Sequence, residues 1–320
     1  MKPLEEDHPQ LFHYTNAAGL DGILRSQTLR ATHYAHLNDA EEIRHFLKNR
    51  LPEVFERVIL NHGDEEEARR LGKKAAESLL EKLLNSASSS EPLAEPYITS
   101  FCTPSDSDGR VEKHGLLSQW RGYGKDGGYA LVFDTKCLSQ LLTEFAETHE
   151  NSGDLFAGDV VYSSDSNQIF SKEFAEDLTT MEVFLSNLLR DDVDHENLEN
   201  IFAAVMRCAC RYKHWGFKEE NEVRLIFIPN NREVSEYAKT EGFTINDIPK
   251  KRYVRAGTNV PYVDLLEGIT STTRSLPIQR VIVGPCAEYE RARRIRAVEI
   301  LLSQHHIDAK VTTSEIPYVG

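Results

Sequence analysis

Trp215–Pro229 reads WGFKEENEVRLIFIP. Within it, Glu222–Ile228 is rich in β-branched and aromatic residues and stops at Pro229, which predicts a strand. Alternate strand residues share a face. Val223, Leu225 and Phe227 therefore point one way, into a core. If the strand begins by Glu220, then Glu220, Glu222 and Arg224 all point the other way. Three charges on one face of so apolar a strand need solvent, a cleft or mutual pairing. The plain alternative is a solvated face with a cross-strand ion pair.

Working outward, further strands are predicted over Leu11–Tyr14, Tyr97–Cys102, Gly128–Asp134, Gly158–Tyr162, Gln279–Gly284 and Asp308–Ile316. The glycine-rich turn Gly122–Gly128 leads into the third of these. Helical spacing of apolar residues predicts helices over Asn16–Ser26, Asp39 towards Leu51, Glu65–Leu84, Phe170–Leu189, Asn197–His214 and Glu288–Gln304. Asp39 and Glu42 have the offset of a capping box. Ser86–Ser90 is a low-complexity linker. Nothing separates two compositionally distinct halves, so the reading is one α+β domain over 1–320 with helical insertions at about 40–91 and 168–214.

Composition excludes several classes. The chain has 320 residues, 40% hydrophobic, enough for a sizeable core. No run approaches the roughly 18 apolar residues of a membrane helix, so no membrane partner is expected. Met1–Gln10 is polar and acidic, unlike a secretory signal. Five scattered cysteines fit a reducing, cytoplasmic setting better than a disulfide framework. A net charge of −14 disfavours broad nonspecific nucleic-acid binding. Two basic clusters, Lys250–Arg255 and Arg291–Arg296, read as solvated surface. The spacings His33-x-x-His36 and Cys208-x-Cys210 are not those of zinc sites, and no metal is predicted.

Four groups of residues can carry chemistry: Phe12-His13-Tyr14-Thr15 at the end of an early strand, Asn38-Asp39 with Glu42, Trp120 with Tyr123 ahead of the glycine turn, and Trp215 with Glu220, Glu222 and Arg224. Each also has a structural reading. His13 can be a hydrogen-bonded histidine without a ligand. Asn38 and Asp39 can cap a helix. Trp120 and Tyr123 can be core aromatics on one helical turn.

The ordered set resembles domain-of-unknown-function family 2971. The matching residues are His13-Tyr14-Thr15, Asn38-Asp39-x-x-Glu42, Trp120-x-x-Tyr123 before Gly127-Gly128, Trp215 with Glu220-x-Glu222-x-Arg224, and Val281-Ile282-Val283-Gly284. The chain departs at Ala40, where the family often has proline. That family is in turn remotely similar to the ADP-ribosyltransferase superfamily, some members of which act as toxins or in phage defence. The resemblance implies a split β-sheet core that grips NAD as substrate in a cleft. It implies that the chain transfers ADP-ribose to a protein or nucleic-acid acceptor, or hydrolyses NAD, with an antitoxin or chaperone as a further partner. The alternative is a non-catalytic binding or sensor module of a defence system. Glu222 would stabilise the oxocarbenium-like ribose, and Glu220 would orient or deprotonate the acceptor. His13 would bind the adenosine ribose, beside Tyr14 and Thr15. Tyr34, Trp120 or Tyr123 would stack on nicotinamide. Asn38 would bind its amide or the ribose. Arg224 would pair with the pyrophosphate or neutralise the two glutamates.

Overall fold

The computed structural model describes residues 4–37, 40–60, 65–84, 95–104, 108–124, 127–163, 174–189, 195–230, 232–271 and 274–317. In it, WGFKEENEVRLIFIP becomes a 3-10 turn (Trp215–Glu220), one left-handed residue (Asn221, φ 43°) and strand β8 (Glu222–Pro229). Both faces of β8 are buried. Val223, Leu225 and Phe227 enter one apolar core, and Ile226 enters another.

β8 pairs along its length with β3 (Tyr97–Cys102), and β5 (Gly153–Asp159) covers its other edge. The free edge of β3 is shared by two strands. β1 (Gln10–Thr15) meets it at Cys102, and β2 (Leu29–His33) meets it at Tyr97 and Ile98. The sheet therefore forks at the middle of β3. One arm runs β1, β4 (Tyr129–Asp134), β11 (Ile278–Val283) and β12 (Lys310–Thr313). The other runs β2, β10 (Thr258–Leu265) and β9 (Lys251–Arg255). Side chains complete the bonding at the fork, where backbone pairing is interrupted. His13 Nδ1 lies 3.0 Å from the Ser100 carbonyl, and the Thr99 hydroxyl donates to the Arg30 carbonyl at 3.0 Å.

Helices cover the sheet unevenly. On one face, α2 (Ala17–Ser26), α8 (Thr135–Thr148) and α12 (Glu288–Gln304) pack over both arms. On the other face, α3 (Ala40–His45), α4 (Leu51–Leu60), α5 (Glu65–Leu84), α9 (Ala175–Leu189) and α10 (His195–Arg211) build one layer over Ile98 and Ile226. A small cluster around Trp120, carried by α7 (Leu117–Tyr123), covers Phe12 and Tyr14. Ser100 lies between the two coverings. The uncovered strip there is the floor of a cleft.

The α+β class and the strands over β1, β3, β4, β8, β11 and β12 agree with the sequence analysis. Several boundaries differ. Gly158–Tyr162 straddles the end of β5 and the start of a separate short strand, β6 (Val161–Ser163). The second long helix ends at Arg211, not His214, and Tyr212–His214 forms β7, parallel to β6. The cap at Asp39, the linker Ser86–Ser90 and the first turn expected after Phe170 lie outside the described residues. Gly115, at φ +76°, ends α6 (Arg110–His114), and an added Cβ would sit 2.6 Å from the Trp120 ring. Gly115→Ala is therefore expected to lower stability by about 1–3 kcal/mol through overpacking and backbone strain. Gly122→Ala, whose Cβ would meet nothing within 4 Å, should not. Urea unfolding of the two variants checks this.

Candidate functional site

The fork opens into a cleft of about 960 Å³, near the top of the roughly 300–1,000 Å³ span usual for small-molecule sites. His13, Tyr14, Thr15, Tyr123, Glu220 and Glu222 all line it. Segments more than 200 residues apart in sequence, at Thr15 and Glu222, thus meet at one place.

The wall at β8 is a chain of paired charges. Glu222 is 4% exposed. Its carboxylate accepts from Arg224 Nε at 2.8 Å and from Lys213 Nζ at 3.0 Å. Lys213 also donates to Glu220 at 2.7 Å, and Arg224 reaches Glu42 of α3 at 3.9 Å. Three carboxylates thus face two cations. Burial alone would raise the pKa of Glu222, but Arg224 and Lys213, with the Ser100 hydroxyl, outweigh it and hold it at about 2. Its N–H donates to the Tyr162 hydroxyl at 2.8 Å. Lys213 Nζ stands 4.9 Å from the Phe217 ring centre, so the ammonium is bracketed by two carboxylates and an aromatic face.

Glu220 does not share the β8 face by strand alternation. The left-handed Asn221 interrupts the extended backbone, fixed by hydrogen bonds to Thr103, and Glu220 sits on the 3-10 turn. Lys213 brings the two carboxylates together instead. The three charges of the motif are not on an open solvated face. They pair under the helical layer, because charge enters such a layer only with partners.

His13 is half-buried. Burial lowers its pKa, against a smaller opposite effect of the Ser100 carbonyl. A carbonyl only accepts, so Nδ1 carries the proton. A neutral ring then keeps Nε2 as an acceptor. The Tyr14 hydroxyl accepts from the Leu116 N–H at 2.8 Å, and burial raises its pKa. Tyr123, 46% exposed, stands at the mouth of the cleft.

Other predicted residues lie elsewhere. Trp120 is 1% exposed, packed edge-on against Tyr14 at 4.9 Å with its Nε1 donating to the His114 carbonyl, so its ring faces core and not ligand. Tyr34 is 7% exposed within the helical core. Arg224 is 1% exposed and pairs with Glu222, which leaves it out of reach of a pyrophosphate. Asn38 lies outside the described residues. Lys213, Phe217, Arg30 and Tyr253, which carry no sequence expectation, also line the cleft, as does Arg255 of the basic cluster read as solvated surface. One signal for Lys213 was present: a buried Glu-x-Glu-x-Arg motif has excess negative charge and requires another cation.

A family model described as "Protein of unknown function (DUF2971)" matches residues 119–225. That span carries Tyr123, Lys213, Glu220 and Glu222. No curated protein and no solved structure matches the chain.

The ion chain makes a stability prediction. Glu222→Gln leaves Lys213 and Arg224 short of a buried counter-charge and is expected to cost about 3–5 kcal/mol at pH 7. The folded-state pKa of Glu222 is depressed, so the stability it contributes is present above the unfolded carboxylate value and is lost as pH falls towards about 2. Wild type and variant should therefore converge in denaturant midpoint between about pH 5 and pH 2. A constant gap across that window would contradict the assignment.

Proposed function

We propose that the chain cleaves NAD at the nicotinamide–ribose bond and transfers ADP-ribose to a macromolecular acceptor or to water. The observation that carries this reading is the meeting of His13, Tyr123, Glu220 and Glu222 in one cleft where the sheet splits. It supports an ADP-ribosyltransferase-like core, which the resemblance of the ordered motifs also suggests.

The chemistry follows from these side chains. Tyr123 offers a ring face to the cationic nicotinamide. His13 Nε2 accepts from a ribose hydroxyl, beside Thr15. As the bond breaks, its electron pair leaves with nicotinamide and positive charge develops at the ribose. The ionised Glu222, aimed by Arg224, stabilises that charge. Glu220 takes the proton of the attacking hydroxyl, amine or water as the new bond forms. Arg224 is a positioning residue in this scheme, and Trp120 supports the wall behind Tyr14.

One observation favours a second reading. Lys213 already neutralises part of both carboxylates, which suits a module that binds a ligand without turning it over. Incubation of the chain with NAD separates the two, since only turnover frees nicotinamide. In an active chain, Glu222→Gln, assayed below its melting temperature, is expected to lose on the order of 10²–10³ in nicotinamide release. Glu220→Gln should lose transfer while slow hydrolysis persists. NAD binding without release of nicotinamide by wild type would establish the binding module.

We also propose that the transfer is toxic in the cytoplasm of a cell lacking an antitoxin partner, as in toxin or phage-defence effectors. Induced cells should then grow more slowly with wild type than with His13→Ala at matched protein levels. Equal growth would remove the toxic role.

A further inference from the structure

A further wall of the cleft is built from the β2–β10–β9 arm. Its two faces differ sharply. Leu29, Ala31, Val263 and Leu265 enter the core. By strand alternation the other face carries Arg30 and Thr32 on β2, Tyr262 and Asp264 on β10, and Tyr253 and Arg255 on β9. Most of that polar face lines the cleft.

Arg30 is held as a planar cation against aromatic faces. Its guanidinium lies 4.2 Å from the Tyr262 ring centre and 4.8 Å from that of Tyr253. The two rings meet edge-on at 5.7 Å. Register places Asp264 directly across from Arg30, the position for a cross-strand ion pair. That pair does not form. The Asp264 carboxylate accepts from Lys251 at 3.1 Å and from the Thr28 hydroxyl at 3.0 Å instead. Arg255 is anchored by a bond to the His36 carbonyl. Among the described residues, neither guanidinium has a carboxylate within ion-pairing distance. Residues along α2, from its cap Asn16 to Ser26, line the same cleft.

We infer that Arg30 and Arg255 form an anion subsite for the phosphate groups of a nucleotide, with Tyr253 and Tyr262 fixing the plane of Arg30. A guanidinium stacked on rings keeps its N–H edge pre-aimed, which suits a phosphate oxygen pair. The subsite takes the role that sequence analysis gave to Arg224. The inference rests on the NAD reading only for whose phosphates are bound. A dinucleotide would lie with its cationic ring at the glutamates and its pyrophosphate at these arginines.

Inorganic pyrophosphate tests the subsite without any nicotinamide chemistry, so its result stands whether or not NAD is cleaved. Calorimetric titration of wild type should show saturable binding that weakens with added salt. Arg30→Gln and Arg255→Gln should each weaken it about tenfold or more, as expected for loss of a charge-assisted bond. Arg252→Gln alters the neighbouring β9 position that points to the opposite face, and should leave binding unchanged. Both cleft arginines are exposed, so these variants should fold as wild type, checked by circular dichroism. Absence of binding at millimolar pyrophosphate would overturn the inference, as would equal affinity in all four proteins. Tighter binding of a short single-stranded oligonucleotide, equally sensitive to Arg252, would assign the wall to a polymer backbone and overturn it too.

Discussion

The pairing of Glu222 with Lys213 and Arg224 is the constraint on which the rest of the cleft depends. Taking a carboxylate to 4% exposure is costly unless every oxygen meets a donor. Here the donors come from two segments, β7 and β8, and the network continues to Glu220 on the 3-10 turn and to Glu42 on α3. The helical layer therefore does more than bury Ile98 and Ile226. It supplies Glu42, and through the end of α10 it places Lys213. Small displacements of α3 or α10 would expose or strand a charge, so the position of the layer and the geometry of the glutamates are set together.

The fork is the second constraint, and it explains why a cleft exists at all. A strand whose whole edge is paired leaves no gap. β3 gives its edge to two partners that diverge, and the interrupted ladder is closed by His13 and Thr99 side chains instead of backbone. His13 is thus structural and cleft-lining at once. The bond that completes the fork also fixes its tautomer, leaving Nε2 as the acceptor. The two readings of a lone histidine, a satisfied core residue or a ligand group, are not exclusive here.

Much of the fold was legible because it rests on local pattern. Tyr97–Cys102, Tyr129–Asp134 and Glu222–Pro229 are dense in β-branched and aromatic residues, and each is a strand. What was missed has physical reasons. β9 is at the sheet edge and carries Lys251, Arg252 and Arg255, charges that guard an edge against unwanted pairing, so the run reads as surface. β10 contains Pro261, which argues against a strand by sequence alone. β2 is short and mixes Arg30 with threonine and alanine. α8 starts at a Thr135 capped by Asp134, directly after a strand, with no loop to mark the change. Tyr212 continues the apolar spacing of α10, which hid β7 and with it Lys213. The fork itself is a matter of non-local register, and no local window contains it.

The site was legible in its residue types more than in their roles. The face argument for Glu222 leaves solvent, a cleft or mutual pairing open; the carboxylate pairs with Arg224 of the motif and with a lysine outside it, under cover instead of in solvent. That difference bears on chemistry. A carboxylate in solvent responds weakly to a nearby cation, because water screens it. One held ionised beneath a helical layer is screened less and would act more strongly on charge within reach. Lys213 tempers this by standing 3.0 Å from the same oxygen. The wall at β8 is therefore a partly compensated negative surface, and the wall at β2 and β9 carries two guanidiniums beside an Asp264 that is paired with Lys251 and not with them. Under the proposed reading, this difference between the walls would favour one end-to-end orientation of a ligand that is itself dipolar.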